Sequence, residues 1–169
     1  MAKRQHRTLV ESILDDIGRA GSRISDIGAS EAAAGNISVY VPGHILVEHV
    51  FPEKTSVRLP DPAPALAGGT LLVTGSGRRL REVGDDPQVS VAALHVADDG
   101  ITATQYTSTK AKFQRLTSEF NSHLAVHNDH VGARGLDFHA VVHAQPMHLT
   151  YLSHIPAYRT TMAFNKAIL

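Results

Sequence analysis

The sequence predicts an α/β fold in which helices are layered on a sheet. Two observations lead to this prediction: some segments carry apolar residues at helical spacing, and others read as strands, two of which are joined in a hairpin pattern. Helices and hairpins are mixed along the chain and do not alternate as βαβ units, which favours a layered arrangement. No repeat or change of composition marks an internal boundary, so we expect a single domain over residues 1–169.

A helix is predicted first, from five apolar residues at helical spacing, which are Leu9, Val10, Ile13, Leu14 and Ile17. Gly18 and Gly21 are placed to end this helix. A Gly35-Asn36 turn then leads into a strand over 37–41, which a Pro-Gly pair breaks. A second strand is expected over 44–50, across a tight turn.

The middle of the chain is predicted to hold a loop, a short strand and a hairpin. Residues 52–69 are rich in proline and small residues and read as a loop, whereas 71–73 form a short apolar strand. The strand-like segments 89–96 and 101–106 flank an Asp-Asp-Gly sequence, which is the pattern of a hairpin with an Asp-Gly turn.

The last third is predicted to contain a helix, a strand and two further helices. The first helix begins at 117–119, and the strand covers 138–143 before Pro146 stops it. Helices over 147–153 and 158–169 are separated by Pro156. The final residues show no cap or stop signal, from which we expect a chain that is truncated at its C-terminus.

The composition excludes several classes of function. Sixteen basic residues balance sixteen acidic ones, which argues against a nucleic-acid binder and against an electrostatic membrane anchor. The chain has no cysteine, so disulfides and thiolate metal sites are excluded. Neither a signal peptide nor a stretch of transmembrane length is found, and a cytoplasmic location is the default expectation.

A Thr-Gly-Ser-Gly sequence follows the short strand 71–73 directly. A glycine-bearing turn after a strand exposes backbone N–H groups in a concave arrangement that suits phosphate, and the hydroxyls of Thr74 and Ser76 add donors. The Gly-Lys-Ser/Thr ending of a Walker A loop is missing. An ordinary turn explains the same four residues, and the motif alone does not decide between these interpretations.

Thr117-Ser118-Glu119 opens the second predicted helix. Hydroxyls cap the free N–H groups of a helix N-terminus, and a carboxylate there favours the helix dipole, so this sequence is explained by helix capping alone. The functional alternative is that Glu119 is a general base, whose pKa partial burial would raise toward neutrality.

Seven of the eleven histidines lie between His123 and His154. Val141–Pro146 is predicted to include the end of a strand, where side chains two residues apart share a face. Their Cα atoms are about 6–7 Å apart, so two such side chains can converge on one metal ion. His123 and His127 have helical i,i+4 spacing and form a competing metal pair. Packing of their helix face near the sheet is the alternative for that pair.

The order of these motifs resembles the class II aldolase and adducin head family. The matching segments are Asn-Ile-Ser after a glycine, Thr74–Gly77, Thr117–Glu119 with the residues that follow to 124, Val141–Pro146 and 148–150. The resemblance runs from about Leu9 to Leu169, and the branch that acts on rhamnulose 1-phosphate fits best. It implies a three-layer α/β/α sandwich around a largely antiparallel sheet, usually assembled as a homotetramer with active sites between subunits.

The resemblance also implies a reaction and roles for single residues. The family members that it points to are zinc-dependent lyases, which cleave a ketose 1-phosphate to dihydroxyacetone phosphate and a short aldehyde. Residues at the matching positions would bind the substrate phosphate, and these are Asn36, Ser76, Gly77, Thr117 and Ser118. Glu119 would move a proton at the carbon next to the carbonyl, and His143 would be the first zinc ligand.

This sequence departs from the family pattern near the expected metal site. The family has His-x-His in the strand, and Gln145 stands here at the second ligand position, where an amide oxygen is a poorer zinc ligand than imidazole. The third histidine of the family lies well downstream, and only 26 residues follow His143. Ala33 replaces a polar residue before the Gly-Asn turn. A non-catalytic binding or assembly domain is therefore the first alternative to a sugar-phosphate aldolase, and a related reaction on an acidic sugar phosphate, such as epimerisation or decarboxylation, is the second.

Overall fold

The computed structural model describes residues 7–168. These residues form four α-helices and six strands. In chain order they are α1 (Leu9–Asp26), β1 (Asn36–Val41), β2 (Glu53–Arg58), β3 (Thr70–Thr74), β4 (Val91–Val96), β5 (Thr102–Thr107), α2 (Phe120–Arg134), β6 (His139–His143), α3 (Met147–His154) and α4 (Thr161–Ile168). Among these residues, none of the helices combines the length and the apolar character that a membrane crossing needs.

The six described strands form one sheet in the order β2-β5-β4-β3-β1-β6. Every neighbouring pair is antiparallel. The predicted hairpin is confirmed as β4 and β5, and the predicted strands at 37–41, 71–73 and 138–143 are confirmed as β1, β3 and β6. Pairing of β1 with β6 sets Asn36 directly opposite His143, which fixes the position of two predicted site residues.

The sheet is covered on both faces. Alternate residues of β1 point to opposite sides, so that Ile37, Val39 and Val41 join one core cluster with the apolar face of α1. Tyr40 joins a second cluster with Leu124 and other residues of α2. Helix, sheet and helix therefore form three layers, and the predicted α/β/α sandwich is confirmed.

Helix α1 begins at a complete capping box. The backbone N–H of Glu11 is hydrogen-bonded to the Thr8 side chain, while the Glu11 carboxylate accepts from the Thr8 backbone N–H. The apolar stripe that predicted this helix is buried almost entirely, apart from Leu9, which is exposed. Each fully buried side chain of this kind contributes about 1.5–3 kcal/mol relative to an exposed one.

The predicted end of α1 at Gly18 and Gly21 is wrong, because the helix continues to Asp26. A Cβ atom at Gly18 would lie 2.6 Å from the Gly84 Cα, and one at Gly21 would lie 2.5 Å from the Leu80 carbonyl oxygen. These two glycines let the helix approach the backbone of residues 80–84. The sequence shows the missing side chains but not the neighbouring backbone, so close packing was mistaken for a helix stop.

The strand predicted over 44–50 and the loop predicted over 52–69 are also wrong in part. Val47 and Val50 are buried, but the Val47 carbonyl accepts from the backbone N–H groups of Val50 and Phe51, which makes this segment a turn. Strand β2 lies inside the predicted loop and pairs along its whole length with β5. Its side chains are mostly exposed, so it lacks the alternating pattern by which half-buried strands are identified.

Candidate active site

A small cavity of about 200 Å³ lies where β1, β3, β6 and the start of α2 meet. Every residue to which the family resemblance gave a site role lines this cavity, and these are Asn36, Ser76, Gly77, Thr117, Ser118, Glu119, His143 and Gln145. The fold thus brings together side chains that are up to 109 positions apart in the chain. Their convergence was expected from the resemblance and not from the local patterns.

Two backbone features bring the four segments together. The register of β1 and β6 sets Asn36 opposite His143. A single β-bridge joins Gly75 to Leu116, and the Thr117 N–H donates to the Thr74 carbonyl at 3.0 Å. The loop after β3 therefore lies beside the residues that open α2.

Glu119, His143 and Asn36 form the polar centre of the cavity. The Glu119 Oε2 lies 2.5 Å from the His143 Nδ1, and the Asn36 Nδ2 lies 3.3 Å from each of these two atoms. Distances this short fit a charge-assisted hydrogen bond between carboxylate and imidazole. The side chains of His143 and Glu119 are 29% and 39% exposed, so both groups remain accessible from the cavity.

The loop after β3 is only partly free to bind an anion through its backbone. The N–H groups of Gly75 and Ser76 donate to the carbonyls of Ser90 and Arg115, at 2.8 and 2.9 Å, so these two donors are already used. Gly77 has a φ of +72°, which lies in the left-handed region that favours glycine. The side chains of the loop, more than its amides, are therefore available to a ligand.

The hydroxyl of Thr74 does not belong to the cavity, contrary to prediction. It is buried between β1 and β3, where it accepts from the Ile37 N–H at 3.1 Å and donates to the Ile37 carbonyl. Thr117 is also buried, yet it lines the cavity, and its Oγ1 accepts from the Glu119 N–H at 3.4 Å. This hydrogen bond lies before the first residue of α2, and no side chain caps the start of that helix within the described residues, so the capping explanation for this segment is wrong.

Arg78 lines the cavity and was not predicted. Its guanidinium donates to the Ser90 hydroxyl and to the Glu82 carboxylate, each at 3.3 Å, and its side chain is 16% exposed. A fixed cation beside three hydroxyl-bearing residues favours an anionic ligand. The signal was present in the sequence, because Arg78 directly follows the glycine turn.

The residues present do not complete a zinc site. Within residues 7–168, no cluster of three or more His, Cys, Asp or Glu side chains has the arrangement to hold a metal ion. Catalytic zinc usually has three protein ligands. Strand β6 ends at His143, so the strand spacing expected for Gln145 does not apply, and the Gln145 N–H donates to the Ala29 carbonyl instead. The pair His143 and Gln145 stays a prediction.

His123 and His127 pack against the sheet, which confirms the alternative to a metal pair. Their rings contact the Ser38 hydroxyl through His123 Nδ1 at 2.6 Å and His127 Nε2 at 2.7 Å. Burial, with the nearby rings of His139, His123 and His130 adding to it, lowers the pKa of His127 to about 3. Burial also lowers the pKa of His123, where the Glu119 charge opposes the shift and the His143 charge adds to it.

Comparison with known proteins identifies the family. The family model for the class II aldolase and adducin N-terminal domain matches residues 15–168. Rhamnulose-1-phosphate aldolases of Yersinia pestis (strain Pestoides F) and Yersinia pseudotuberculosis (serotype O:1b) are each 30% identical over 136 residues, which is 76% of this chain and 47% of theirs. The chain therefore spans about half the length of these curated relatives.

The fold is also that of a solved enzyme. The crystal structure of sugar-phosphate aldolase from Thermotoga maritima superposes with a TM-score of 0.70, covering 89% of this chain and 60% of that one, at 24% sequence identity. At this identity the likeness concerns the fold alone. With the family match over nearly the whole described chain, it leads to one conclusion: the chain belongs to the class II aldolase and adducin N-terminal domain family.

Proposed function

We propose that the chain carries the sugar-phosphate and proton-transfer half of a class II aldolase, which cleaves a ketose 1-phosphate to dihydroxyacetone phosphate and a short aldehyde. The observation that supports this most is the meeting of Glu119, Asn36 and His143 in one cavity with Ser76, Thr117 and Ser118. A carboxylate held by an imidazole and an amide supplies a proton-transfer group. The hydroxyls beside it supply contacts for a phosphate.

In the proposal, the phosphate lies against the loop after β3 and the residues before α2. Asn36, Ser76, Gly77, Thr117 and Ser118 are assigned to it, and Arg78 adds a positive charge that balances the phosphate. The cavity of about 200 Å³ suits the phosphate end of a small substrate better than a large ligand. Phosphate contacts supply binding energy remote from the bond that breaks, and so they position the reacting carbons.

Glu119 is assigned the proton transfer at the carbon next to the carbonyl. When the carbon–carbon bond breaks, the hydroxyl on the departing carbon loses its proton to solvent and becomes the aldehyde carbonyl. The bonding electrons remain on the carbon next to the ketone carbonyl, which takes a proton from Glu119 in its acid form. The Asn36 amide N–H donates to the Glu119 carboxylate, and the His143 ring holds the same oxygen. These two contacts orient the carboxyl group toward a ligand in the cavity.

The zinc of the proposal comes from the family and not from a complete ligand set among the described residues. His143 and Gln145 are assigned as its ligands, but two protein donors are fewer than the three of a typical catalytic zinc site. The proton transfer at Glu119 and the phosphate contacts use the protein's own groups alone. The substrate class comes from the relatives, which are rhamnulose-1-phosphate aldolases and a sugar-phosphate aldolase. A homotetramer and a cytoplasmic location stay predictions.

A non-catalytic binding or assembly domain is the second candidate. The incomplete metal donor set of the described residues and the glutamine at position 145 favour it. Such a domain has no need of the paired Glu119 and His143 in an accessible cavity, which is why we place it second.

The test is a cleavage assay on rhamnulose 1-phosphate and other ketose 1-phosphates, with released dihydroxyacetone phosphate measured by a coupled reduction. Added zinc is varied, and bound metal is measured in the same samples. We expect cleavage by the unmodified chain, and loss of about 10²–10⁴-fold in Glu119→Ala with phosphate affinity nearly intact. Glu53→Ala, on the exposed strand β2, is the matched control.

Two outcomes would contradict the proposal. Full activity in Glu119→Ala would remove Glu119 from the proton transfer. Absence of cleavage and of phosphate binding in the unmodified chain, at every zinc concentration, would favour the binding or assembly domain.

A further inference from the structure

A chain of hydrogen bonds runs through the interior from beside the cavity to the edge of the described sheet. Ser38, in the middle of β1, is fully buried, and its hydroxyl contacts His123 Nδ1 and His127 Nε2 at 2.6 and 2.7 Å. The other nitrogen of His127, Nδ1, lies 2.8 Å from His139 Nδ1 on β6. His139 is partly exposed and stacks on His130 with ring centroids 5.0 Å apart. The buried polar groups are thus connected in one line.

The donors and acceptors of these hydrogen bonds can be arranged in only two directions. Burial lowers the pKa of His123, His127 and His139, so all three rings are neutral near pH 7. A neutral imidazole has one N–H donor and one bare acceptor nitrogen, and the Ser38 hydroxyl has one hydrogen to donate. The buried Ser38 hydroxyl has no other acceptor among the described residues, so it donates to one of the two rings and accepts from the other, and this choice places every other hydrogen of the series.

The Nε2 atom of His123 decides between the two directions. It is buried and has no hydrogen-bond partner within the described part of the chain. A buried N–H without a partner is rarer than an acceptor left bare, so the proton of His123 belongs on Nδ1. His123 then donates to Ser38, Ser38 donates to His127 Nε2, and His127 donates from Nδ1 to His139. The proton of His139 is left on Nε2.

The same contacts hold the first turn of α2, where Glu119 lies. No side chain caps the start of this helix within the described residues, so its first turn depends on tertiary contacts. The backbone N–H of His123 makes the first i→i−4 bond of the helix, to the Glu119 carbonyl at 3.0 Å, and the ring of the same residue is held on β1 by Ser38. Asn36, two residues earlier on the same face of β1, donates to the Glu119 carboxylate. Strand β1 therefore holds Glu119 from two points.

We propose that Ser38 is a positioning residue for Glu119 and that it acts through His123. Both residues belong to a series of hydrogen bonds in which every donor points from His123 toward His139. The inference deepens the proposed aldolase function and rests on it for its catalytic consequence. The carboxylate itself is oriented by Asn36 and His143, and the backbone that carries it is oriented by Ser38. No sequence motif of the site includes His127 or His139, because the line exists only after β1, α2 and β6 have packed.

The direction of the hydrogen bonds is tested by NMR of the whole chain labelled with ¹⁵N at its histidines, with no substrate present. We expect the ring proton of His123 and of His127 on Nδ1, and that of His139 on Nε2. A proton on Nε2 of His123 or His127 would overturn the fixed direction. This measurement does not depend on catalysis, so it decides the point even if the chain cleaves no sugar phosphate.

The positioning role is tested with Ser38→Ala, Ser38→Thr and Ser108→Ala. Ser108 is a buried serine outside α2 and β1 whose hydroxyl contacts Gln88, so its removal is a matched control for a lost buried hydroxyl. We expect Ser38→Ala to lower kcat about tenfold to a hundredfold with KM unchanged, because small displacements of a catalytic group have effects of that size. Ser38→Thr keeps the hydroxyl and is expected to restore most of kcat, whereas Ser108→Ala leaves kcat unchanged.

Amide NMR of the same variants separates failure of this inference from failure of the proposed function. Ser38→Ala is expected to shift the Glu119 backbone signal and the Asn36 side-chain signal, and Ser108→Ala to leave both in place. If the unmodified chain has no activity but these shifts appear, the aldolase proposal fails and the positioning role stands. If Ser38→Ala leaves both signals and kcat unchanged, Ser38 is not a positioning residue.

Discussion

Strand β1 carries two short polar side chains on one face, and each contacts histidine. Asn36 contacts His143 at the open cavity, where the imidazole and the Glu119 carboxylate are both partly exposed. Ser38 contacts His123 and His127 in the sealed interior, where His127 is fully buried. The residue types are nearly the same in the two places. What differs is the access of water, and this difference decides which histidine can take part in chemistry.

The buried histidines, His123 and His127, are neutral because water is excluded from around them, whereas His143 at the cavity is hydrogen-bonded to a carboxylate. Burial removes water from around a ring and disfavours its charged form, which is why the pKa of His127 is about 3. A chain with seven histidines in its last third therefore has few of them available as ligands or proton carriers. The following predictions test this contrast, from the largest expected effect to the smallest.

Acid should unfold the chain through the sealed histidines. The pKa of His127 is about 3 when folded, against 6.5 ordinarily, so protonation favours the unfolded chain. The stabilising contribution is complete above pH 6.5 and is lost as the pH falls toward 3, by up to about 1.4 kcal/mol for each pH unit. Urea unfolding of the unmodified chain and of His127→Gln at pH 7, 6, 5 and 4 measures this slope. Equal slopes in the two proteins would contradict the assignment to His127.

Replacing the buried His127 by alanine should destabilise the protein more than replacing the partly exposed His143. His127→Ala removes a fully buried ring and a partner of Ser38, and we expect it to lower the free energy of unfolding by about 2–4 kcal/mol. His143→Ala removes a partly exposed ring, and a loss below about 1 kcal/mol is expected. Denaturant titration at pH 7.5 checks both. A larger loss in His143→Ala would mean that the cavity, and not the interior, depends on its histidine for stability.

The two hydroxyls flanking Gly75 offer a smaller test of the same contrast. Thr74→Val removes the buried partner of the Ile37 N–H and carbonyl, with an expected loss of about 1–3 kcal/mol in stability and no change in phosphate affinity. Ser76→Ala should change stability by less than about 0.5 kcal/mol. Phosphate binding should weaken about tenfold or more, the size expected for a hydrogen bond to a charged group. Calorimetric titration with inorganic phosphate measures the affinities. Weaker phosphate binding in Thr74→Val, together with lower stability in Ser76→Ala, would exchange the roles of the two residues.

Much of the fold was predictable because its signals are local. The apolar stripe of α1, the Asp-Gly hairpin of β4 and β5, and the apolar strands β1 and β3 each carry their pattern within about ten residues. The errors occurred where a neighbour decides the structure. Gly18 and Gly21 lie inside a helix because the backbone near Leu80 approaches it, and β2 is a strand because β5 pairs with it.

The site shows the same division. The family resemblance implied which residues share a site, and all of them line the cavity, Gln145 included. Distances between the segments were not predictable, because they depend on the register of β1 with β6 and on the bridge between Gly75 and Leu116. Arg78 was missed although it follows the glycine turn directly. The hydroxyl of Thr74 was one possible donor for an anion, but it is hydrogen-bonded to the backbone of Ile37 between two strands.

The sequence by itself determined the layered α/β class and most of the elements, because periodicity is a property of the chain alone, and its resemblance to a family proposed the residues of the site. Only the tertiary structure decided which polar groups are accessible to water and which are buried. A histidine is a ligand, a proton carrier or a neutral packing group according to the water and charges around it, and these come from segments far apart in the sequence. Ser38 and Asn36 differ by two positions, yet packing of α2 seals one of them and leaves the other at the cavity.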